Sequence, residues 1–281
     1  LTPVGWIALT IVLTWLVVCF LGPAISPYGE AEMVSDVSFG PAGMVCPPGE
    51  TEGCTFHLLG TDYIGRDILS RILYGARTTI GIAFLATLLA YLVGVTLGIA
   101  AAVGGPRLDM VLSRLTDVLM SIPSIMKGLV VIAAVGSSIP VLIVTAGITY
   151  SSPVFRIARA LAMDVAVNDF VEVARARSER LAWIIRRELL PNIVMPLATD
   201  FGVRLVYIML FIASLSFLGL GVQPPTADWG GMVRENLQGL VYGSLAPIAP
   251  AIAIATLTIS INLIVDDISA SSGGRLAARM L

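Results

Sequence analysis

Charged side chains inside apolar stretches are the first residues of this sequence that could do chemistry. Lys127 lies in an apolar run just after Pro123, and Asp200 and Arg204 lie one helical turn apart in another. Ionisable groups in such runs are costly to bury and are candidates for a transport pathway by default. Lys127 could attract a substrate carboxylate, or its ammonium could reach the membrane surface along its own stem. Asp200 and Arg204 are predicted to pair, with a gate as the alternative role.

Motifs of several catalytic chemistries are absent from the sequence. It contains no G-x-x-x-x-G-K-[ST] phosphate loop, no H-E-x-x-H zinc motif and no G-x-S-x-G nucleophile motif. His57 is the only histidine, so it cannot build a histidine metal cluster, and we interpret it as an ordinary loop residue. The sequence predicts a non-catalytic chain that binds no metal or cofactor and cannot hydrolyse ATP by itself.

The composition indicates that the main solvent of this chain is lipid. Of its 281 residues, 57% are hydrophobic and only 13% are charged, and the mean hydropathy is +0.91. Soluble domains carry about 25% charged residues. The formal net charge of −2 also argues against a nucleic-acid-binding protein, which would show a basic stripe.

Six apolar stretches are long enough, or nearly so, to cross a bilayer, which takes about 20 helical residues. We therefore predict an all-α, polytopic membrane protein with about six transmembrane helices. The first stretch is interpreted as a retained anchor, because it is long enough to span and no clear cleavage site follows it. A tight hairpin is predicted between the third and fourth. The stretches are Val4–Leu21, Thr78–Val103, Leu119–Val135, Ile139–Phe155, Leu197–Leu220 and Leu245–Val265.

The distribution of arginine predicts the orientation of the chain, because short cytoplasmic loops are rich in Lys and Arg. With six spans, the basic loops and the C-terminal tail fall on one side, which we assign to the cytoplasm together with both termini. The segment 22–77 carries three arginines but seven acids, and we place it outside. The cytoplasmic arginines are Arg107, Arg114, Arg156, Arg159, Arg175, Arg177, Arg180, Arg186, Arg187, Arg275 and Arg279.

The predicted outer segment divides in two. Pro23–Thr55 is rich in Pro, Gly, Glu and Ser, which is typical of a loop. Asp67–Arg77 has apolar residues on one helical face, and the spacing of Asp67 and Arg71 fits an i,i+4 ion pair. This helix either lies in the outer membrane interface or packs on the external ends of the spans.

A charged stretch between the fourth and fifth predicted spans is the most informative part of the sequence. Glu172–Pro191 reads EVARARSERLAWIIRRELLP, too polar to enter lipid yet with apolar residues at helical spacing. Its two halves are predicted to form two short helices, and Pro191 is expected to break the chain before the next span. Such an insert either docks into another protein or is a solvated amphipathic connector.

This stretch resembles the EAA loop of bacterial ABC importer permeases. In that pattern Glu-Ala-Ala is followed by Gly at the seventh position, and a hydrophobic residue and Pro close it. Here Glu172, Val173 and Ala174 occupy the first three positions, and Leu190 and Pro191 close the pattern. The resemblance implies a cytoplasmic helix-turn-helix that couples the chain to an ATPase.

Ser178 stands where the family has Gly. Gly adopts a left-handed turn freely, whereas Ser adopts it only at some cost. The departure puts the turn geometry in doubt. The resemblance also assigns Arg175 and Glu179 to the coupling loop, which we bound at 164–191.

Three further segments resemble the dipeptide and oligopeptide permeases within this family. His57–Arg77 matches the segment before their second span, and Leu215–Val233 matches their signature after the fifth. Asn262 and Asp266 fall where the family has a short motif at the end of the last span, but Asp267 replaces a usual Gly. The loop within the second segment is expected on the outer side. It either meets a substrate-delivering protein or packs against a partner permease.

The resemblance divides the chain into four parts. Residues 1–22 form an anchor helix, 23–77 an external loop with an amphipathic helix, 78–266 the core permease domain and 267–281 a cytoplasmic tail. It implies the type I ABC importer fold, that is, half of a channel without its own motor.

The same resemblance implies a set of partners. They are a second homologous permease that completes a heterodimer, two cytoplasmic ATP-binding subunits that hold ATP and Mg, an external substrate-binding protein and the lipid bilayer of the bacterial plasma (inner) membrane. The expected substrates are short peptides or similar small solutes. Members of the subfamily also serve nickel chelates, glutathione and opines.

A self-sufficient secondary transporter is the main rival interpretation. It would need ion-coupling sites near the membrane midplane, often at broken helices, and ideally repeated halves. The sequence shows no internal repeat and few acids near the midplane.

Cys46 and Cys54 both lie in the predicted outer segment, where thiols tend to pair. We predict a disulfide between them, whereas Cys19 lies in the first predicted span as inert packing. Intact mass measured after alkylation, with and without reductant, checks the pairing. Two freely alkylated outer thiols in the native protein would rule it out.

Overall fold

The computed structural model describes residues 2–46 and 54–277, with side chains up to residue 270. It is mostly helical, as predicted. In chain order the helices are α1 (Pro3–Ile25), α2 (Ile68–Val103), α3 (Pro106–Ser121), α4 (Ser124–Val135), α5 (Ile139–Ala166), α6 (Asp169–Ala176), α7 (Leu181–Ile184), α8 (Leu190–Phe217), α9 (Trp229–Glu235) and α10 (Ile248–Ala277). A π-helical turn at Ile185–Leu189 joins α7 to α8, and Leu237–Tyr242 forms a 3-10 helix.

Five of the described helices are long and apolar enough to cross a membrane, if α7, the π turn and α8 count as one helix. The pair α3–α4 would add a sixth, but it is bent by 84°. The sequence placed the third span at Leu119–Val135, but this stretch is not one helix, because α3 ends at Ser121 and α4 begins at Ser124. Ile122 is extended (φ −92°, ψ 127°) because it precedes Pro123, whose ring disfavours a helical residue before it.

Helices α2 and α5 lie side by side in parallel, with their backbones in close approach. A Cβ on Gly94 would lie 2.6 Å from the Ser151 carbonyl oxygen, and one on Gly98 would lie 2.8 Å from that of Phe155. Both glycines are therefore required by the spacing of the two helices. Ala83, Ala86 and Ala90 continue the buried small-residue stripe of α2.

The parallel arrangement determines the path of the intervening chain. Since α2 and α5 both end at the same side, the chain must return across the bundle between Val103 and Ile139, and α3–α4 is the segment that makes this return. Two ion pairs fasten α3 to α5. The Arg159 guanidinium donates to Asp109 with Nη2–Oδ2 2.6 Å, and Arg156 donates to Asp117 at 2.7 Å.

Both ends of the described chain lie at one end of the bundle. The Thr2 amide donates to the Asp267 carboxylate at 2.8 Å. Further along, the Trp15 indole donates to the Thr256 hydroxyl at 3.2 Å, which ties α1 to α10. An even number of crossings follows, in agreement with six. Helix α10 runs past Asp267 to Ala277, so the predicted tail 267–281 is helical over most of its length, and residues 278–281 lie outside the described part.

The segment before α2 carries a short β-hairpin that the sequence did not predict. Strands β1 (Gly43–Val45) and β2 (Thr55–His57) pair antiparallel, with Gly43 opposite His57. Three residues per strand are too few to give a detectable alternation. The disulfide between Cys46 and Cys54 follows directly on the last paired residues.

The amphipathic helix predicted at Asp67–Arg77 is the first part of α2, not a separate element. Asp67 is the N-cap, and its carboxylate accepts a hydrogen bond from the Ser70 amide at 2.7 Å. The domain boundary expected after Arg77 therefore falls inside a continuous helix. The predicted Asp67–Arg71 pair was also wrong, because the cap turns the carboxylate away from Arg71.

Arg71 instead joins a buried network of four charged groups. Its guanidinium donates to Asp62 at 2.7 Å and to Glu235 at 3.0 Å, and Arg66 donates to the same two carboxylates at 2.6 and 3.0 Å. Glu235 ends α9, so the network ties α9 to the start of α2. A buried ion-pair network of this kind fixes geometry, although desolvation offsets much of its attraction.

His57 was expected to be an ordinary loop residue, and the structure corrects this. Its ring is fully buried. One nitrogen lies 2.8 Å from the Asp67 carboxylate and the other 2.8 Å from the Thr55 hydroxyl. The histidine therefore connects β2 to the cap of α2.

The loop before α10 packs inward. Trp229 is fully buried, and its indole donates to the Ile72 carbonyl at 3.1 Å. Its neighbour Asp228 caps α9 and accepts from the Thr79 hydroxyl at 3.0 Å. Burial raises the pKa of the Asp228 carboxyl. Asp228 and Trp229 therefore pack on the chain's own α2, which was not predicted. Gln223, Pro224 and Pro225 of the same loop are exposed, so the two roles left open for it stay predictions.

Gly98→Leu tests the close contact of α2 and α5. The new side chain would meet the α5 backbone, and overpacking of this kind costs about 1–3 kcal/mol. We expect a lower melting temperature for the purified protein in detergent. Thr96→Leu is the matched control, because Thr96 is an exposed residue of the same helix and its side chain points away from the bundle core. Equal melting temperatures for the two variants would contradict the role assigned to Gly98.

Candidate coupling surface

Helix α6 is held against the ends of two spanning helices by one apolar face. Val171 and Ala174 are buried in a cluster with Ile99 of α2 and with Ala158 and Ala162 of α5. The spacing of three residues places both on the same side of α6. The opposite side is left to solvent, and it carries the polar residues of the predicted loop.

A left-handed turn at Ser178 ends α6. Its φ is +60°, which costs a non-glycine residue about 1–2 kcal/mol. The Ser178 amide donates to the Arg175 carbonyl at 2.9 Å, and the Glu179 amide donates to the Ala174 carbonyl at 3.2 Å. These two bonds form a Schellman motif. Ser178 thus adopts the conformation that glycine would adopt more easily, and the turn keeps its shape.

After this turn the chain enters the membrane without a break at Pro191. The prediction of a break was wrong, because a π turn precedes the proline. The Leu190 amide donates to the Ile185 carbonyl, five residues back, so the hydrogen-bond ladder has already shifted when it reaches Pro191. The missing amide of the proline is therefore accommodated. Ile184 and Leu189 are buried and hold this segment to the same cluster as α6.

The outward side of α6, the Ser178 turn and the start of α7 form one surface, which we name the coupling surface. Val173 is 57% exposed near its centre, a large fraction for an aliphatic side chain. Three arginines and two acids surround the apolar groups. Its exposed residues are Asp169, Phe170, Glu172, Val173, Arg175, Ala176, Arg177, Ser178, Arg180 and Leu181.

The predicted coupling residues divide between this surface and its support. Glu172, Val173, Arg175 and Ser178 are exposed together on it. Ala174 is buried, and Glu179 and Leu190 are half-buried. Pro191 is exposed at the start of α8. Phe170 is 43% exposed one turn from Val173. It was not predicted as a coupling residue, because it precedes the family motif that begins at Glu172.

The predicted pair in α8 forms, and it has a third member. The Arg204 guanidinium donates to the Asp200 carboxylate at 3.3 Å, and the Tyr91 hydroxyl donates to the same carboxylate at 2.6 Å. Both charged side chains are mostly buried. The cluster ties α8 to α2. Tyr91 is 109 residues from Asp200, so spacing could not reveal it.

The two roles predicted for Lys127 stay predictions, and the structure adds a contact within the chain. Its ammonium donates to the Leu119 carbonyl at 2.9 Å. Leu119 lies in the last turn of α3 and Lys127 in the first turn of α4, so the contact bridges the 84° bend between them. A cation at a helix C-terminus also interacts favourably with the helix dipole. Among the described residues, no group of three His, Cys, Asp or Glu side chains could hold a metal ion.

Comparison with protein families identifies one that covers most of this chain. The model of the family described as "Binding-protein-dependent transport system inner membrane component" matches residues 94–271. That range contains the coupling surface, the bent pair α3–α4 and the Asp200–Arg204 pair.

Relatives of known name cover still more of it. A dipeptide transport system permease protein of Haemophilus influenzae is 31% identical over 92% of this chain and 86% of its own length. A di/tripeptide transport system permease protein of Pseudomonas aeruginosa is 30% identical over 89% and 82%. A glutathione transport system permease protein of Pectobacterium atrosepticum is 34% identical over 75% and 70%.

Among solved structures, the inward-facing methionine ABC transporter contains a chain similar to this one. Its TM-score is 0.60, with 17% sequence identity over 72% of this chain and 95% of that chain. At this identity the likeness shows a shared fold.

Substitutions at Ser178 test the left-handed turn. Ser178→Gly should relieve the strain and Ser178→Val should increase it, because a β-branched residue tolerates this conformation least. We expect the Glu179 amide to exchange with deuterium roughly fivefold to thirtyfold more slowly in the glycine variant than in the original protein. In the valine variant the exchange should be faster. Ser137→Gly, at a residue without positive φ, should leave it unchanged. The same exchange rate in the glycine and valine variants would contradict the turn.

Proposed function

This chain belongs to the family of binding-protein-dependent transport system inner membrane components, and from that membership we propose that it forms half of a pathway for short peptides or similar small solutes. It is a multi-pass permease subunit of an ABC importer. The observation that carries the mechanism is the coupling surface, a partly apolar, arginine-rimmed face held rigidly at the ends of α2, α5 and α8. The relatives named for dipeptides, di/tripeptides and glutathione support a peptide-like substrate.

The coupling surface is suited to docking into a groove on an ATP-binding subunit. Exposed Val173 and Phe170 supply apolar contact, and Arg175, Arg177 and Arg180 supply positive charge around it. A partner groove with an apolar floor and acidic edges would complement both features. ATP and Mg belong to two such subunits in this proposal, and hydrolysis takes place there.

Movement of the docked surface can reach the pathway because its support is continuous with the spans. The segment Leu181–Phe217 is one unbroken helical rod, and Asp200 on it is bonded to Tyr91 of α2. A displacement at the Ser178 turn would therefore move α8 and α2 together. We place Asp200 and Arg204 in this transmission, and Lys127 at the bend of α3–α4, where its contact holds the angle between the two helices.

A second permease would complete the pathway. An apolar groove of about 570 Å³ lies between α8 and α10, beside α9. Leu210, Phe217 and Ile259 line it and are exposed. Either lipid or another protein must cover a large exposed apolar face of a membrane protein. We place the second permease on this groove and an external binding protein over the side with the disulfide. The disulfide side then faces away from the cytoplasm, and both termini face the cytoplasm.

Val173→Asp tests the docking of an ATP-binding subunit. The tagged chain, purified from its native bacterium in mild detergent, should bring a second permease and ATP-binding subunits with it. The variant should retain the second permease but recover about tenfold less ATP-binding subunit, because a charge would replace a central apolar contact. Quantitative mass spectrometry and an ATPase assay of the eluate measure both.

Met33→Asp is the matched control. Met33 is 70% exposed in the segment before α2, away from the coupling surface, so the same substitution there should leave both partners in place. Loss of both partners in the Val173 variant alone would indicate misfolding rather than a lost contact, which the melting temperature of that variant would reveal. A homo-oligomer of the original chain without any ATP-binding subunit would refute the proposed function and favour a secondary transporter.

A further inference from the structure

A second apolar groove lies on the opposite side of the helix bundle from the proposed permease contact. Its volume is about 670 Å³, and residues of α1, α2, α8 and α10 line it. Its rim is open to the surroundings, since Phe20 is 79% exposed and Phe84 44% exposed. We name it the α1–α2 groove.

One charged residue, Arg77, is among the residues that line this groove. In the part of the chain that the structure describes, its guanidinium forms no ion pair, whereas Arg66 and Arg71, which precede it in the sequence, both form ion pairs. The groove therefore combines an apolar floor with a cation whose charge no described carboxylate neutralises. A ligand that matches it has an apolar tail and an anionic head.

The position of Arg77 along α2 matches a membrane surface. No charged residue occurs from Thr78 to Val103, a helical length of about 39 Å. The hydrocarbon core of a bilayer is about 30 Å thick. Arg77 is thus the first charge at the end of an uncharged span, at the level where phospholipid phosphates lie, on the side of the disulfide-bonded segment.

The depth of the groove matches one leaflet. From Arg77 to Leu85, its deepest lining residue on α2, the helix rises about 12 Å. The lining residues of α1 extend from Phe20 to Val12, which is again about 12 Å. One leaflet contributes about 15 Å of hydrocarbon. The space beside Gly81 is open, because a Cβ built on this residue would meet nothing within 4 Å.

We propose that the α1–α2 groove binds one anionic phospholipid of the leaflet on the disulfide side, with its phosphate on Arg77 and an acyl chain beside Gly81. The lipid would fill the space between the anchor helix α1 and the core helices α2, α8 and α10. This site is separate from the coupling surface and does not depend on the identity of the transported solute.

Native mass spectrometry of the complex purified with the tagged chain tests the site. Phosphatidylglycerol is titrated in, with zwitterionic phosphatidylcholine as the reference lipid. Arg77→Gln should weaken the tightest phosphatidylglycerol binding about tenfold, to the level of phosphatidylcholine. Arg107→Gln is the matched control, because Arg107 is also exposed and forms no ion pair among the described residues, but it lies at the start of α3, beyond the other end of α2. Equal weakening by both variants, or by neither, would overturn the proposal.

A second pair of variants tests the groove itself. Gly81→Leu should fill it and reduce phosphatidylglycerol occupancy about tenfold. Thr14→Leu adds a similar bulk to the exposed face of α1 and should leave the occupancy unchanged. A photoreactive side chain in place of Phe84 identifies the occupant directly. Cross-linking to a phospholipid mass supports the proposal, whereas cross-linking to another protein chain would show that a partner covers the groove and would refute it.

Discussion

The contact between α2 and α5 is the constraint on which the rest of the fold depends. Gly94 and Gly98 allow the two backbones to approach, and their parallel direction obliges the chain to return between them. The bent pair α3–α4 makes that return, and its ion pairs to α5 keep it in place. The same contact brings the ends of α2 and α5 together, and Val171 and Ala174 pack on those ends. The position of the coupling surface thus follows from two glycines about 75 residues away.

The two ends of the bundle are organised by different forces. At the disulfide side, buried charges dominate, with Arg66 and Arg71 shared between Asp62 and Glu235. The hydrogen bonds between these charged groups are directional, so they fix the positions of the groups relative to one another. At the coupling side, aliphatic packing and a single left-handed turn dominate. Packing of this kind permits a rigid-body shift more readily than a charge network does, which suits the movement proposed for this end of the molecule.

Much of this architecture could be predicted from the sequence, and the failures share a cause. The apolar stretches and the Asp200–Arg204 pair follow from local composition and spacing, and the turn at Ser178 was implied by the resemblance to the EAA loop. The bend at Pro123, the continuous start of α2 and the π turn before Pro191 depend on backbone geometry that hydropathy averages over. Tyr91 and Trp229 acquire their roles from partners distant in sequence. Local patterns therefore predict the elements, and they miss contacts that only the assembled bundle creates.

The parallel pairing of α2 with α5 also has a consequence for biosynthesis. The residues of α5 that receive Gly94 and Gly98 emerge from the ribosome roughly 60 residues later, which is about 3–12 s at ordinary translation rates. During that interval α2 is already in the bilayer with its small-residue stripe facing lipid or the insertion machinery. A chaperone-like protection of that stripe, or a transient partner helix, would serve the nascent chain until its own α5 arrives.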